Sequence, residues 1–185
     1  MKTYITSDLH FGHKNIKKFC PVSRARFSDD TVQMNEEMIL EWNEIVTQED
    51  TVYILGDVAF MSGSEAARIM NRLNGSKILV EGNHDRKTLL DVNFHKAFAE
   101  VHKYLELVYN GTFVVMCHYP IYDHNGAGRG SIMLHGHRHG NPYDIPGRIK
   151  DVGMDSTGKI VVSLDDVVAD LQKIPHMYHH DPRPV

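Results

Sequence analysis

The chain has 185 residues, and its 20 lysines and arginines stand against 24 aspartates and glutamates, a formal charge of −4. One hydrophobic core serves that length, and a composition that is 42% hydrophobic and 24% charged excludes disordered and fibrous architectures. The acidic balance argues against long duplex nucleic acid as a partner, because proteins that bind it carry a basic surplus.

Residues 2–7 are rich in β-formers and run into Asp8-Leu9-His10-Phe11-Gly12-His13, which reads as a strand ending in a functional loop. Over 30–46 the apolar residues Val32, Met38, Ile39, Trp42, Ile45 and Val46 recur with a helical period behind the capping candidates Asp29, Asp30 and Thr31, so an amphipathic helix is predicted with Met38 and Trp42 as core contacts. Two compact apolar runs follow, 51–55 ended by Gly56-Asp57 and 77–80 ended by Gly82-Asn83-His84-Asp85, with helical periodicity over 65–73 between them. Strand, helix and strand, each strand followed by a polar loop, is the rhythm of sheets whose ligands gather beyond the carboxyl ends of the strands.

Residues 104–109 and 112–116 flank Asn110-Gly111, a hairpin signal because both positions accept positive φ; the sheet is therefore mixed. The second of these runs ends at Cys117-His118-Tyr119-Pro120, and 131–134 ends at His135-Gly136-His137-Arg138-His139-Gly140. A helix over 164–173 closes a single domain spanning 1–174, and the tail 175–185, with His176, His179 and His180, is expected to be loosely ordered.

Two cysteines, Cys20 and Cys117, are too few for a disulfide framework and lack thiolate zinc spacing. They read as packing thiols in a reducing cytoplasm. No apolar run approaches the ~18 residues that cross a bilayer, and no export signal is visible, so no membrane partner is expected.

The notable count is 13 histidines, and chain order sorts them better than local density does. Five strand-end loops each deliver a metal-competent group: Asp8 and His10, Asp57, Asn83 beside His84, His118, and His137 with His139. Carboxylate, imidazole and amide oxygen together suit borderline divalent transition metals, manganese first and then iron, zinc, cobalt or nickel, whereas calcium or magnesium draws almost only oxygen. Seven ligand candidates exceed what one ion needs, and two ions sharing a carboxylate would use them all. In Asp8-x-His10 and His137-x-His139 the alternation lets both side chains of an extended segment reach one cluster.

The ordered series Asp8-Leu9-His10, Gly56-Asp57, Gly82-Asn83-His84-Asp85, His118 and Gly136-His137-Arg138-His139 resembles the calcineurin-like metallophosphoesterase superfamily, in particular its short, cap-less bacterial and phage members. The resemblance implies an α/β fold, a four-layer sandwich of two mixed β-sheets flanked by helices, with a dinuclear metal centre at the strand ends. By position Asp8, His10 and His139 would bind one ion, Asn83, His118 and His137 the other, and Asp57 would bridge. His84 would stay free of metal, oriented by Asp85 or a backbone group, and would act on the scissile phosphate or the leaving oxygen. The implied reaction is in-line attack of a metal-bound hydroxide on a phosphate ester, preferably a small phosphodiester such as a cyclic nucleotide or a nucleotide end. A phosphomonoesterase is the alternative, and a non-catalytic protein-binding module a more distant one.

Around this set, His13 and Arg129 are candidate substrate-binding residues, the latter because a guanidinium can hold a phosphate bidentately. Arg24, Arg26 and Arg86 default to solvated surface. His135 reads as a satisfied buried histidine, and His95 and His102 as structural. The pattern His135-x-His137-x-His139 superficially suggests a metallo-β-lactamase-type hydrolase, but that motif needs an aspartate where His139 stands. Oligomeric state leaves no mark in the sequence.

Overall fold

A computed structural model describes residues 1–175; the histidines of the tail, His176, His179 and His180, lie outside the described residues. In chain order the elements are β1 (Thr3–Thr6), α1 (Ile16–Phe19), α2 (Thr31–Ile45), β2 (Thr51–Ile54), α3 (Gly63–Met70), β3 (Ser76–Val80), α4 (Asp85–Thr88), α5 (Val92–Lys96) and β4 (Glu100–His102). There follow β5 (Leu105–Tyr109), β6 (Thr112–Met116), a 3-10 turn (Ala127–Arg129), β7 (Ile132–His135), β8 (Ile149–Asp151), α6 (Met154–Thr157), β9 (Val162–Ser163) and α7 (Leu164–Gln172).

They form two mixed sheets flanked by helices. The first has the order β4-β3-β2-β1-β9, parallel except for β9, and the second the order β5-β6-β7-β8, parallel except for the β5–β6 hairpin. That hairpin turns on Asn110 and Gly111, both at positive φ as the sequence predicts. The alternation of strand side chains builds two cores. Tyr4, Val52, Ile54 and Leu79 face a cluster with α2, α3 and α5, while Ile5, Leu55 and Val80 meet Val114, Met116, Ile132 and Leu134 of the second sheet. Helix α7 closes this inter-sheet core with Leu164, Val167, Val168 and Leu171.

Helix α2 starts where Asp30 caps it, its carboxylate accepting from the Gln33 amide at 2.8 Å. Its buried row runs through Met34, Met38 and Trp42 at i, i+4 spacing. Val32, counted in the apolar stripe, lies two positions ahead of that row and is 70% exposed. Helix α3 begins earlier than its apolar pattern because Ser62 and Glu65 close a capping box. Strands β4, β8 and β9 were not apparent in the sequence. Each has only two or three residues, too few to express a period.

Parallel β1, β2 and β3 of one sheet and β6 and β7 of the other all end on one side of the molecule. The His118 ring nitrogen lies 2.7 Å from the Leu55 carbonyl oxygen and the His137 amide donates to Asp8 Oδ2 at 2.9 Å, so the two sets of strand ends face each other.

Candidate metal centre

Backbone pairing between β1 and β2 continues past the strands: the Asp8 amide donates to the Gly56 carbonyl and the His10 amide to the Asp57 carbonyl, both at 3.0 Å. To turn their side chains inward while keeping these bonds, the candidate ligand residues adopt left-handed backbone. Among the described residues six non-glycine positions have positive φ, and five are Asp8, His10, Asp57, His137 and His139; the sixth is the hairpin Asn110. Such conformations cost about 1–3 kcal/mol each and persist where the surroundings and the function hold them. Gly56 is required at this turn, at φ +91°, because a Cβ there would stand 2.6 Å from Gly82 Cα and 2.7 Å from His118 Nδ1. At Gly136 a Cβ would collide with Ser7 Oγ and Asp8 Oδ2, so only glycine lets the second sheet's loop close over Asp8.

Asp8 Oδ1 lies 3.8 Å from His10 Nε2 and 3.7 Å from His139 Nε2, and these two nitrogens are 3.3 Å apart. Asp57 Oδ2 lies 3.9 Å from His10 Nε2 and 3.5 Å from His118 Nε2. His118 Nε2 is 2.9 Å from Asn83 Oδ1. Two overlapping groups have ligand atoms close enough to hold an ion, Asp8, His10 and His139, and Asp8, Asp57 and His118, and a third, Cys20, His139 and Asp155, adjoins them through His139. His137 joins at the exposed side, its ring 5.1 Å from that of His118 and 4.7 Å from that of Tyr119.

The donor atoms fit divalent cations. With His118 Nδ1 donating to the Leu55 carbonyl, Nε2 turns a lone pair towards the amide oxygen of Asn83, itself an acceptor. Asp8 Oδ1, buried and facing His10 Nε2 and His139 Nε2, has no hydrogen-bond partner. A mixed set of nitrogen and oxygen lone pairs directed at one another is what a borderline divalent metal satisfies.

The electrostatics prepare the same state. Burial works against the Asp8 carboxylate, but His10, His139 and His118 outweigh it and hold its pKa below the ordinary range. Burial lowers the pKa of His10, and burial together with His118 lowers that of His137, leaving neutral imidazoles suited to coordination. His139 is the exception. Burial opposes its protonation, yet Asp155, Cys20 and Asp8 raise its pKa to about 10.

The other predicted site residues divide. His84 stands at the rim, 45% exposed, with Nε2 3.8 Å from Asp57 Oδ2 and its ring 4.4 Å from that of Phe60. His13 packs against the same phenylalanine at 4.2 Å, and its ring is 5.7 Å from that of His10. Asp85 does not orient the His84 imidazole. Its two buried oxygens accept from the amides of Asp57, Val58 and Gly82 at 2.8–2.9 Å, tying the ends of β2 and β3 together. Arg129 is not brought to the cluster either. It lines a cavity with Phe113 and Ser131 at the opposite ends of β6 and β7, because the crossover between parallel strands must return the chain to the start of β7.

Arg24 is fully buried rather than a surface cation. It forks onto Asp155 at 2.6 and 2.9 Å and donates to the carbonyls of Asp8 and Leu9. Asp155 in turn accepts from His139 Nδ1 at 2.8 Å, with Cys20 Sγ 3.7 Å from the same nitrogen. Neither role is marked by a local motif, since Arg24 and Asp155 stand 131 positions apart. His135 is buried and satisfied, between the Gly136 carbonyl and the Tyr143 hydroxyl. Both cysteines are free thiols.

Comparison with known proteins agrees with this arrangement. The family model described as calcineurin-like phosphoesterase matches residues 1–182. An uncharacterized protein of Methanocaldococcus jannaschii is 32% identical over 180 residues, 93% of this chain and 92% of the relative. The gene 66 protein of Mycobacterium phage L5 is 29% identical over 198 aligned positions, covering 89% of this chain and 91% of its own length. A crystal structure of a protein of unknown function from Aquifex aeolicus shares the fold with a TM-score of 0.65 at 22% identity, covering 90% of this chain and 97% of that one.

Proposed function

Because the chain belongs to the calcineurin-like phosphoesterase family, whose members hydrolyse phosphate esters with divalent metal ions, we propose that it acts on small phosphodiesters with two transition-metal ions, manganese the first candidate. The observation that carries this reading is the place of Asp57, whose Oδ2 lies between His10 Nε2 at 3.9 Å and His118 Nε2 at 3.5 Å. Asp8, His10 and His139 would hold one ion and Asn83, His118 and His137 the other, with Asp57 shared.

Bound there, the ions would supply positive charge for phosphoryl oxygens and acidify coordinated water towards a pKa of ~7. The protein's own part is positioning. His84, outside both ligand groups and accessible at the rim, hydrogen-bonds the leaving ester oxygen and delivers a proton to it. Phe60 packs against its ring and fixes the face it presents. Apolar walls on two sides, Phe60 beside His84 and Tyr119 beside His137, suit an ester with a substituent on each side of phosphorus, which favours a diester over a monoester. Free thiols at Cys20 and Cys117 are in keeping with a reducing compartment such as the cytoplasm. Among the described residues no helix is long and apolar enough to cross a membrane.

The test is a matrix of metals against p-nitrophenyl phosphate and bis(p-nitrophenyl) phosphate for the wild type and His84→Ala. The wild type should prefer the diester with manganese. His84→Ala should keep its metal content by elemental analysis while turnover falls by roughly 10²–10⁴-fold. Full activity in that variant would remove His84 from the mechanism, and a monoester preference would replace the diester reading.

A further inference from the structure

A cavity of about 460 Å³ opens directly beside the metal-type cluster, sharing Asn83 and His84 with it. Its size falls within the ~300–1,000 Å³ of small-ligand sites. Its floor is apolar, formed by Ala59, Phe60 and Met61, and its rim carries Arg86 and Lys87. No carboxylate lines it, although the chain as a whole is acidic at −4. A larger cavity, by contrast, mixes the carboxylates of Glu41, Asp151, Asp166 and Asp170 with the cations of Lys150 and Lys159.

Two features of the lining speak to the ligand. Phe60 is 38% exposed although it touches three imidazoles, those of His10, His13 and His84, and its accessible part offers an aromatic surface against which a flat ring can pack. Arg86 and Lys87 are exposed, and neither has an ion-pair partner among the described residues. Two uncompensated cations beside an aromatic floor match a group that is both planar and anionic.

We propose that this cavity is the leaving-group subsite and that it takes a nucleoside carrying a second, non-reacting phosphate, its base on Phe60 and Met61 and that phosphate between Arg86 and Lys87. The assignment of side rests on the reading of His84 above: the ester group that His84 protonates must extend past His84, and the space past His84 is this cavity. The substrate class narrows accordingly to nucleotide diesters whose departing nucleoside bears a further phosphate.

Calorimetry on the metal-loaded full chain tests the subsite without turnover, using inorganic phosphate, adenosine 5′-monophosphate and adenosine 3′,5′-bisphosphate as probes. The bisphosphate should bind about tenfold more tightly than the monophosphate, the effect of one charge-assisted phosphate contact, and Arg86→Gln/Lys87→Gln should erase that difference. Both nucleotides should bind more tightly than inorganic phosphate, with Phe60→Ala narrowing the margin. Equal affinity for the two nucleotides in the wild type, or an advantage that survives in Arg86→Gln/Lys87→Gln, overturns the subsite. Hydrolysis of bis(p-nitrophenyl) phosphate, followed in parallel, separates the two readings. Hydrolysis with no bisphosphate preference sinks the cavity alone, and a bisphosphate preference with no hydrolysis under any metal sinks the hydrolase reading and the leaving-group role with it, leaving the cavity a nucleotide-binding site.

Discussion

The two sheets contribute to the centre in different ways. The first sheet's edge supplies Asp8, His10, Asp57 and Asn83, and its turns are locked from within by continued β1–β2 pairing and by Asp85 beneath Asp57, Val58 and Gly82. The second sheet's edge supplies only imidazoles, and each is held from outside its own sheet. His118 leans on the Leu55 carbonyl, the His137 backbone on Asp8 Oδ2, and His139 on Asp155. The carboxylate-bearing edge is thus a preformed frame, and the imidazole edge is hung upon it.

If that is so, damage to the frame should spread. Asp57→Ala should deplete bound metal and lower turnover by roughly 10³-fold or more, since the charge stabilisation supplied by such a centre amounts to several kcal/mol. Elemental analysis alongside turnover checks this. A variant that still held the wild type's full complement of metal would break the comparison at its centre, because the frame would then be dispensable.

Asp85→Ala sharpens the same contrast through stability. Removing the carboxylate strands three buried amides, those of Asp57, Val58 and Gly82, at about 1–3 kcal/mol each. A loss of at least ~3 kcal/mol should lower Tm by about 10 °C for a chain of this size, measured by calorimetry on metal-free protein. A shift of only ~1 °C would mean that the turns are held by the strand pairing alone.

How much of this could be read from the sequence follows the same division. Gly56-Asp57 and Gly82-Asn83-His84-Asp85 are legible because the frame is local: the glycine, the ligand and the supporting Asp85 lie within a few positions of one another. Asp85 neighbours His84 in the chain, yet its carboxylate is taken up by the amides of Asp57, Val58 and Gly82, a contact that chain adjacency does not announce. Arg129 was misplaced because a cation near ligand blocks in sequence says nothing about which end of a parallel strand it reaches. Arg24 and Asp155 were invisible because their contact joins segments 131 residues apart and neither sits in a periodic or glycine-marked pattern. The short strands β4, β8 and β9 exist by pairing with longer neighbours, and no local propensity announces them.

The outer tether gives the smallest expected effect and the finest test. Asp155→Asn leaves the frame intact but weakens the partner that orients His139, so metal affinity should fall by about 10–100-fold while the first sheet's ligands stay in place. The same group leaves a signature in metal-free protein. Burial disfavours the Asp155 carboxylate, yet hydrogen bonds from His139, Arg24 and Ser23 and the charge of Arg24 hold its pKa well below the ordinary 3.8. A carboxylate with a depressed folded-state pKa stabilises the fold fully above its unfolded value, and that stability is lost as pH falls through the folded one. Urea midpoints of the chelator-treated wild type should therefore decline from about pH 4 downwards by more than those of Asp155→Asn, which has no carboxylate there to protonate. Parallel acid limbs in the two proteins would show that His139 is held by its own loop, and the imidazole edge would then count as a frame in its own right.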